Sequence, residues 1–273
     1  MDKMSFSGRG TLNAGTYGEI SFSGSGRING DIVCEELDAC GAVSSSGSVD
    51  CSGPVSCSGS FHCQGSLKAR VFDGSGSTRI DGDAEIIENC DCSGSIHVGG
   101  SFTGGKLDCS GSVQVGGSIN RGSVDSSGSL KVGHDLKGTS VDTSGRIEIG
   151  GDCEVESFES SGMVNIKGLL NADRIEIRLG GRDSNIREVG GDHITVRRSE
   201  ANTFLGLFRS SPGSGMLVVD SIEGDDITLE NTRAKIVRGS KINIGSGCEI
   251  DLVEYSDTCM VDANSKVGKR NKL

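Results

Sequence analysis

Short apolar–polar–apolar triplets recur along the chain at a fixed spacing. Four apolar columns recur about every 17 residues over five repeats, and one of them contains Ile96, Val113, Leu130, Ile147 and Val164. Alternation with a period of two is typical of a β-strand with one buried face. The pattern therefore predicts a chain built of short strands that recur in register.

Serine–glycine pairs mark the same repeat, and they begin at Ser93, Ser110, Ser127, Ser144 and Ser161. A repeat this short leaves no room for a crossover helix between neighbouring parallel strands. Each repeat is therefore expected to form one turn of a coil that returns above itself. The internal repeat predicts an all-β fold, a parallel β-helix (solenoid) with about 17 residues per turn, in which neighbouring turns stabilise one another.

The regularity of the repeat divides the chain into two stretches. Residues 1–178 are predicted to form regular β-helix turns, and residues 179–273 a less regular continuation with a loop insertion near 201–215. Glycines near the N-terminus recur at steps of six, as in left-handed hexapeptide helices, which leaves the handedness open there. Gly99, Gly116, Gly133 and Gly150 recur at a predicted corner, where we expect them to adopt positive φ angles.

Composition narrows the class of function. The 273 residues include 44 glycines and 2 prolines, and the formal net charge is −11. A negative surface argues against general nucleic-acid binding, which relies on cations that displace counterions. No apolar run reaches the length of about eighteen residues that predicts a transmembrane helix, and the first residues lack the apolar region of a secretory signal. We interpret the 11 cysteines as reduced, packed thiols of a cytoplasmic protein.

The chain resembles the bactofilins, which are polymer-forming bacterial cytoskeletal proteins. The resemblance rests on the serine–glycine repeats and on the openings Phe6-Ser-Gly8 and Gly26-Arg-Ile-Asn-Gly-Asp31. Residues 231–239 and 244–255 are similar to members of the family from Gram-positive bacteria. The resemblance implies a right-handed β-helix that polymerises end to end without nucleotide. It also implies a scaffold for envelope, shape or motility functions, so envelope or motility proteins would be its partners.

The ends of the coil carry the functional hypothesis. Strand-like sequence extends from about Phe6 to about Val267, and neither end shows a helical or proline-rich cap. Unpaired strand edges are templates for another strand, and head-to-tail contacts that do not close generate filaments. We therefore expect a homopolymer, with a monomer whose ends are covered by its own loops as the alternative.

Two candidate surfaces follow from the sequence. An acidic column, whose members follow the same step as the apolar columns, contains Asp91, Asp108, Asp125, Asp142 and Glu159. Three interpretations remain open for this column. It keeps neighbouring coils apart by charge repulsion, it binds a row of divalent cations, or it is simply a solvated face. In the least periodic segment, large apolar residues form a candidate membrane or partner contact, or a loop packed over the coil: Phe204, Leu205, Leu207 and Phe208. The basic residues at positions 266–272 are expected in a terminal tail that assists at an anionic membrane or is disordered.

Sequence motifs for catalysis or for a bound group are missing. None of the 4 histidines has a metal-binding partner motif. Residues 100–106 approach a phosphate-binding loop, but Leu107 stands where a serine or threonine is required. We therefore predict no enzyme, no cofactor and no metal site. The alternatives are an enzyme on a β-helix, such as a polysaccharide lyase or acyltransferase, and a monomeric β-helix that binds an external surface.

Overall fold

A computed structural model describes residues 2–120, 122–199 and 215–273. These residues form strands, turns and bends, and no helix occurs among them. The strands stack as a parallel β-solenoid of about 15 turns that are roughly 17 residues apart, which confirms the predicted fold class. Contacts within the chain cluster into two compact units, Met1–Gly138 and Thr139–Leu273.

The unit Met1–Gly138 contains short strands separated by tight corners. They are β1 (Met4–Phe6), β2 (Arg9–Thr16), β3 (Glu19–Phe22), β4 (Ser25–Cys34), β5 (Glu36–Ala39), β6 (Ala42–Ser45), β7 (Val49–Cys51), β8 (Pro54–Cys57), β9 (Ser60–Cys63), β10 (Leu67–Ala69), β11 (Val71–Gly74), β12 (Ser77–Ile80), β13 (Ala84–Cys92), β14 (Ser95–Val98), β15 (Phe102–Cys109), β16 (Ser112–Val115), β17 (Ile119–Asn120), β18 (Ser123–Ser126), β19 (Ser129–Val132) and β20 (Leu136–Lys137).

Parallel pairing between successive turns arranges these strands on three sides. Side A contains β1, β3, β5, β8, β11, β13, β15 and β18. Side B contains β2, β4, β6, β9, β12, β14, β16 and β19. The third side contains β7, β10, β17 and β20 together with parts of the longer strands β4, β13 and β15. Residues in register on successive turns are 16 to 18 apart in the sequence.

The core of this unit is a set of stacked apolar columns. On side B, Ile96, Val113 and Leu130 occupy successive strands in register. Their exposures are 6%, 2% and 0%, which confirms the predicted column. Residues between them point outward, because neighbouring side chains of a strand alternate between its two faces. Each turn buries too little apolar surface to fold alone, so stacking supplies the rest of the stability.

Aromatic rings fill the core of the first turns. Phe6 and Phe22 stack with ring centroids 4.8 Å apart and an angle of 11° between planes. Gly10 and Gly26 face these rings from side B, and a Cβ atom at either position would overlap with the ring. The glycines therefore let the backbone of β2 and β4 lie directly against the phenyl groups.

The recurring corner glycines are explained by crowding and not by their φ angles. None of Gly99, Gly116, Gly133 and Gly150 has a positive φ, so the positive φ expected from the sequence was wrong. A Cβ atom on Gly116 or Gly133 would overlap with the carbonyl oxygen of the corner glycine on the preceding turn. These corners need glycine because the turns approach one another closely.

The unit Thr139–Leu273 begins with short strands and continues with long ones. They are β21 (Ser140–Thr143), β22 (Arg146–Ile149), β23 (Cys153–Ser160), β24 (Met163–Leu179), β25 (Ser184–Arg198), β26 (Leu217–Leu229), β27 (Thr232–Ile244), β28 (Glu249–Val261) and β29 (Lys266–Lys272). From β24 onward the strands run through corners of the coil, since each pairs along almost its whole length with the next. The division of the chain at residue 178 stays a prediction.

The core of this second unit continues in the same way. Phe158, Ile175, Ile194 and Ile227 form one column in register, and all four side chains are at most 1% exposed. The strand segments predicted around residues 194–196, 227–229, 242–244 and 250–252 are all present within longer strands. The pairing of β25 with β26 skips residues 199–216, most of which lie outside the described residues.

The basic residues at the end of the chain are ordered as a strand, so the expected terminal tail was wrong. β29 pairs with β28 from Glu249↔Lys266 to Tyr255↔Lys272. Arg233 already donates to Glu249, with an Nη2–Oε2 distance of 2.9 Å. Positions 233, 249 and 266 thus alternate in charge along one outward column, and this alternation favours the last pairing.

Candidate functional site

The acidic residues of the first unit stand on adjacent strands of side A. Asp91 pairs with Asp108, and Asp108 pairs with Asp125, so the three carboxylates occupy the same outward position. The structure adds Asp73, which is in register with Asp91. Strands in a sheet are about 4.8 Å apart, and four carboxylates at this spacing repel one another unless water or a cation intervenes. These four residues are the acidic column of the first unit.

One lysine compensates part of this charge. The Lys106 ammonium lies 3.1 Å from Oδ2 of Asp108. The hydrogen bond to Asp108 raises the pKa of Lys106, and the charges of Asp108, Asp125 and Asp91 raise it further. Lys106 is exposed, so it bridges the column from the solvent side and does not bury the carboxylates.

We expect Lys106→Gln to lower the melting temperature by a few degrees at most in low salt, because the column loses its central cation. Salt screens exposed charges, with a Debye length of about 10 Å at 0.1 M, so the difference should shrink as salt is raised. Since folding raises the Lys106 pKa, its contribution is present at neutral pH and is lost only as pH rises through the folded-state pKa. Differential scanning fluorimetry at two ionic strengths measures the effect.

A matched control is Lys131→Gln on side B. Lys131 is exposed, and the part of the chain described by the structure gives it no ion-pair partner. This variant should melt like the wild type. An equal or larger loss at Lys131, or a Lys106 effect that does not depend on salt, would contradict the electrostatic account.

In the second unit the acidic residues end in an ion-pair cluster. Asp142, Glu159 and Glu176 are in register on three successive strands. Arg178 donates to Oε1 of Glu176 over an Nη2–Oε1 distance of 2.7 Å, and Arg174 lies 3.7 Å from Oε2. The hydrogen bond from Arg178 and the charges of Arg178 and Arg174 lower the pKa of Glu176. These contacts therefore favour the ionised form of Glu176.

Sequence reasoning missed two members of the acidic columns. Asp73 was missed because the step from Asp73 to Asp91 is longer than the regular step of the repeat. Glu176 does follow Glu159 at the regular step, but the serine–glycine pair that marked each repeat is no longer present there. A search for the column itself would have found Glu176.

His62 belongs to a small ionic cluster that the sequence did not indicate. Its Nε2 atom lies 2.9 Å from Oδ2 of Asp81, and Nε of Arg79 lies 2.7 Å from Oδ1 of the same carboxylate. The hydrogen bond from His62 contributes most to lowering the pKa of Asp81, and Arg79 adds to it. All three side chains are partly exposed, so the cluster is a surface ion-pair network.

The cysteines pack as reduced thiols, and the described part of the chain contains no disulfide. Most of the side chains are buried. Burial raises the pKa of Cys63 to about 11 and that of Cys153 to about 12. Such thiols stay protonated at neutral pH and are poor nucleophiles. Among the described residues, no group of three or more histidine, cysteine or acidic side chains is arranged to hold a metal ion.

The proposed apolar contact cannot be placed. Phe204, Leu205, Leu207 and Phe208 lie outside the residues that the structure describes. The described residues include no helix with the length and apolar character needed to cross a membrane. The membrane or partner contact stays a prediction.

The described residues thus define a parallel β-solenoid with charged outward columns. No family model matches the chain, and no solved structure matches it. The uncharacterized protein YhbF of Bacillus subtilis (strain 168) is 42% identical over 106 residues, which cover 39% of this chain and 42% of YhbF. The uncharacterized protein YhbE of the same strain is 42% identical over 106 residues, covering 39% of this chain and 44% of YhbE. The chain therefore matches less than half the length of either relative.

Proposed function

We propose that this chain is a self-assembling structural protein whose copies join through the edges of their terminal turns, without nucleotide. The observation that carries the proposal is the pair of strand edges at the two ends of the coil. Among the described residues, β1 pairs only with β3, and β29 pairs only with β28. Free strand edges of this kind favour pairing with another chain.

The first edge presents backbone groups in a defined order. Gly18 N–H donates to the Asp2 carbonyl over 3.0 Å, and Ser23 N–H donates to the Phe6 carbonyl over 2.9 Å. Because the peptide groups of a strand alternate in direction, the N–H and C=O groups of Ser5 point away from the second turn. They are the groups that a further strand would pair with.

The last edge has the same character. Leu273 N–H donates to the Tyr255 carbonyl over 2.9 Å, so the peptide groups of Arg270 and Lys272 point away from β28. Arg270 also continues the column of Val253, which is fully buried in the preceding turn. A charged side chain stands where earlier turns place an apolar one, whereas Val267 continues the apolar column of Ile250, so β29 covers the core only in part.

Two further observations support a structural role. Burial raises the pKa values of the Cys63 and Cys153 thiols, which suits packing in a core. The resemblance to the bactofilins, carried by the serine–glycine repeats, implies nucleotide-independent polymers. We place the scaffold in the bacterial cytoplasm, with the envelope or its motility proteins as partners.

Ser5→Pro tests the edge directly. Proline removes the N–H group that points outward, while the bonds of Met4 and Phe6 to the second turn remain. We expect this variant to keep the wild-type circular dichroism spectrum and to lose most of the protein that pellets on ultracentrifugation. Ser5→Thr keeps the N–H group and suits a strand, so it should pellet like the wild type. Equal pelleting of the proline variant would contradict assembly through this edge.

A further inference from the structure

A concavity on side B of the first unit lies outside the acidic columns, and it includes β2, the side B strand of the first turn. Its volume is about 520 Å³, and it spans β2, β4 and β6. The side chains that line it are those of Arg9, Thr11, Ser25, Arg27, Ala42 and Ser44. No acidic residue is among them. The lining thus offers two guanidinium groups and three hydroxyl groups to the same space.

The register of the sheet brings the two arginines together. Arg9 pairs with Ser25, and Thr11 pairs with Arg27. The arginines are therefore diagonal neighbours on adjacent strands, whose spacing is about 4.8 Å. They point outward because Gly10 and Gly26 between them point inward, against Phe6 and Phe22.

Glycine at these two positions also lets both strands lie close to the core. The backbone of β2 and β4 rests on the phenyl rings without an intervening side chain. On the next strands of side B, Val43 and Phe61 occupy the same inward position. The first two turns of side B thus differ from the turns that follow in their inward side chains.

The charge of this surface is not balanced by the described residues around it. Among the described residues, Arg9 and Arg27 form no ion pair, whereas Arg70 pairs with Glu88 and Arg79 pairs with Asp81 in the same unit. Two adjacent cations without a carboxylate repel each other, and an anion between them would remove that repulsion. This arrangement occurs in a chain whose net charge is −11.

We propose that this concavity binds a phosphate-bearing anion. A guanidinium group donates two parallel hydrogen bonds to a phosphate, with a geometric match that lysine lacks. Donors on two strands suit a tetrahedral group, because its oxygens point in several directions. The hydroxyl groups of Thr11, Ser25 and Ser44 supply further donors at the rim. The shared chemistry is the phosphate group, which is found both in free polyphosphate and in lipid headgroups.

Isothermal titration calorimetry in low salt tests the proposal by measuring the binding of sodium tripolyphosphate to the full chain. The variant Arg9→Gln/Arg27→Gln should bind tripolyphosphate at least about tenfold more weakly, because it loses both guanidinium groups. The control Lys131→Gln/Lys241→Gln removes the same charge from exposed lysines outside the concavity, and it should bind like the wild type. Circular dichroism confirms that each variant is folded.

A second arm distinguishes the two sources of phosphate. The same proteins are sedimented with vesicles of phosphatidylcholine alone or with added phosphatidylglycerol. Loss of tripolyphosphate binding in the arginine variant indicates a free phosphate ligand, and loss only of vesicle binding indicates a lipid headgroup. Either result supports the site. If the arginine variant equals the wild type in both arms, or if the lysine control loses as much, the proposal is wrong.

Discussion

Gly111→Ala is expected to destabilise the first unit severely. Gly111 lies at a serine–glycine corner of side B, where a Cβ atom would overlap with the backbone carbonyl oxygen of Gly94 on the preceding turn. Gly94 meets the carbonyl of Gly76 in the same way, so no neighbouring turn has room to move away. Overpacking of this kind costs about 3 kcal/mol, which corresponds to a fall in melting temperature of about 10 °C for a unit of this size.

The chain provides its own control for this substitution. Gly8 occupies the corresponding corner of the first turn, and a Cβ atom there would meet no atom within 4 Å. Gly8→Ala should therefore change the free energy of unfolding by less than about 1 kcal/mol. Circular dichroism of dilute protein during heating measures the melting temperatures of both variants. Similar melting temperatures for the two would show that the turns are not as closely stacked as described.

Phe158→Ala is expected to destabilise the second unit by about 3–5 kcal/mol. Phe158 is fully buried, and it lies in register with Val141 on one side and Ile175 on the other. No neighbouring side chain can move into the space that the ring would leave, because backbone hydrogen bonds hold the strands above and below in place. The variant loses the apolar surface of the ring and also gains a cavity.

Chemical denaturation of the purified protein measures this loss. Phe158→Leu keeps most of the buried volume and is expected to lose much less stability. A leucine variant as unstable as the alanine variant would indicate that ring shape, and not buried volume, matters at this position. An alanine variant as stable as the wild type would contradict the buried position of the ring.

The repeat made the fold predictable from the sequence, because in a solenoid the same column recurs on every turn. Ile96, Val113 and Leu130 reveal the length of one turn, and the apolar residues two positions after each of them reveal the strand period. The sequence could not reveal why Gly116 is glycine, since crowding between turns depends on how closely they stack. It also could not predict that the residues after Val267 continue in β29, because Lys269 and Arg270 carry the composition of a tail.

The candidate surfaces were predictable only in part. The acidic column follows from the regular step, and Asp73 was missed where that step lengthens. The pair of Arg9 and Arg27 had no sequence signal, because they lie on successive turns and become neighbours only through the register of β2 and β4. Whether Arg27 faces a carboxylate or open solvent depends on the same register.

Negative-stain electron microscopy of the purified wild-type chain, without nucleotide, tests the central claim most directly. If the free edges of β1 and β29 pair with other copies, the grids should show unbranched filaments that lengthen with protein concentration. Discrete particles with the mass of one chain, at the highest concentration that stays in solution, would contradict assembly through the strand edges.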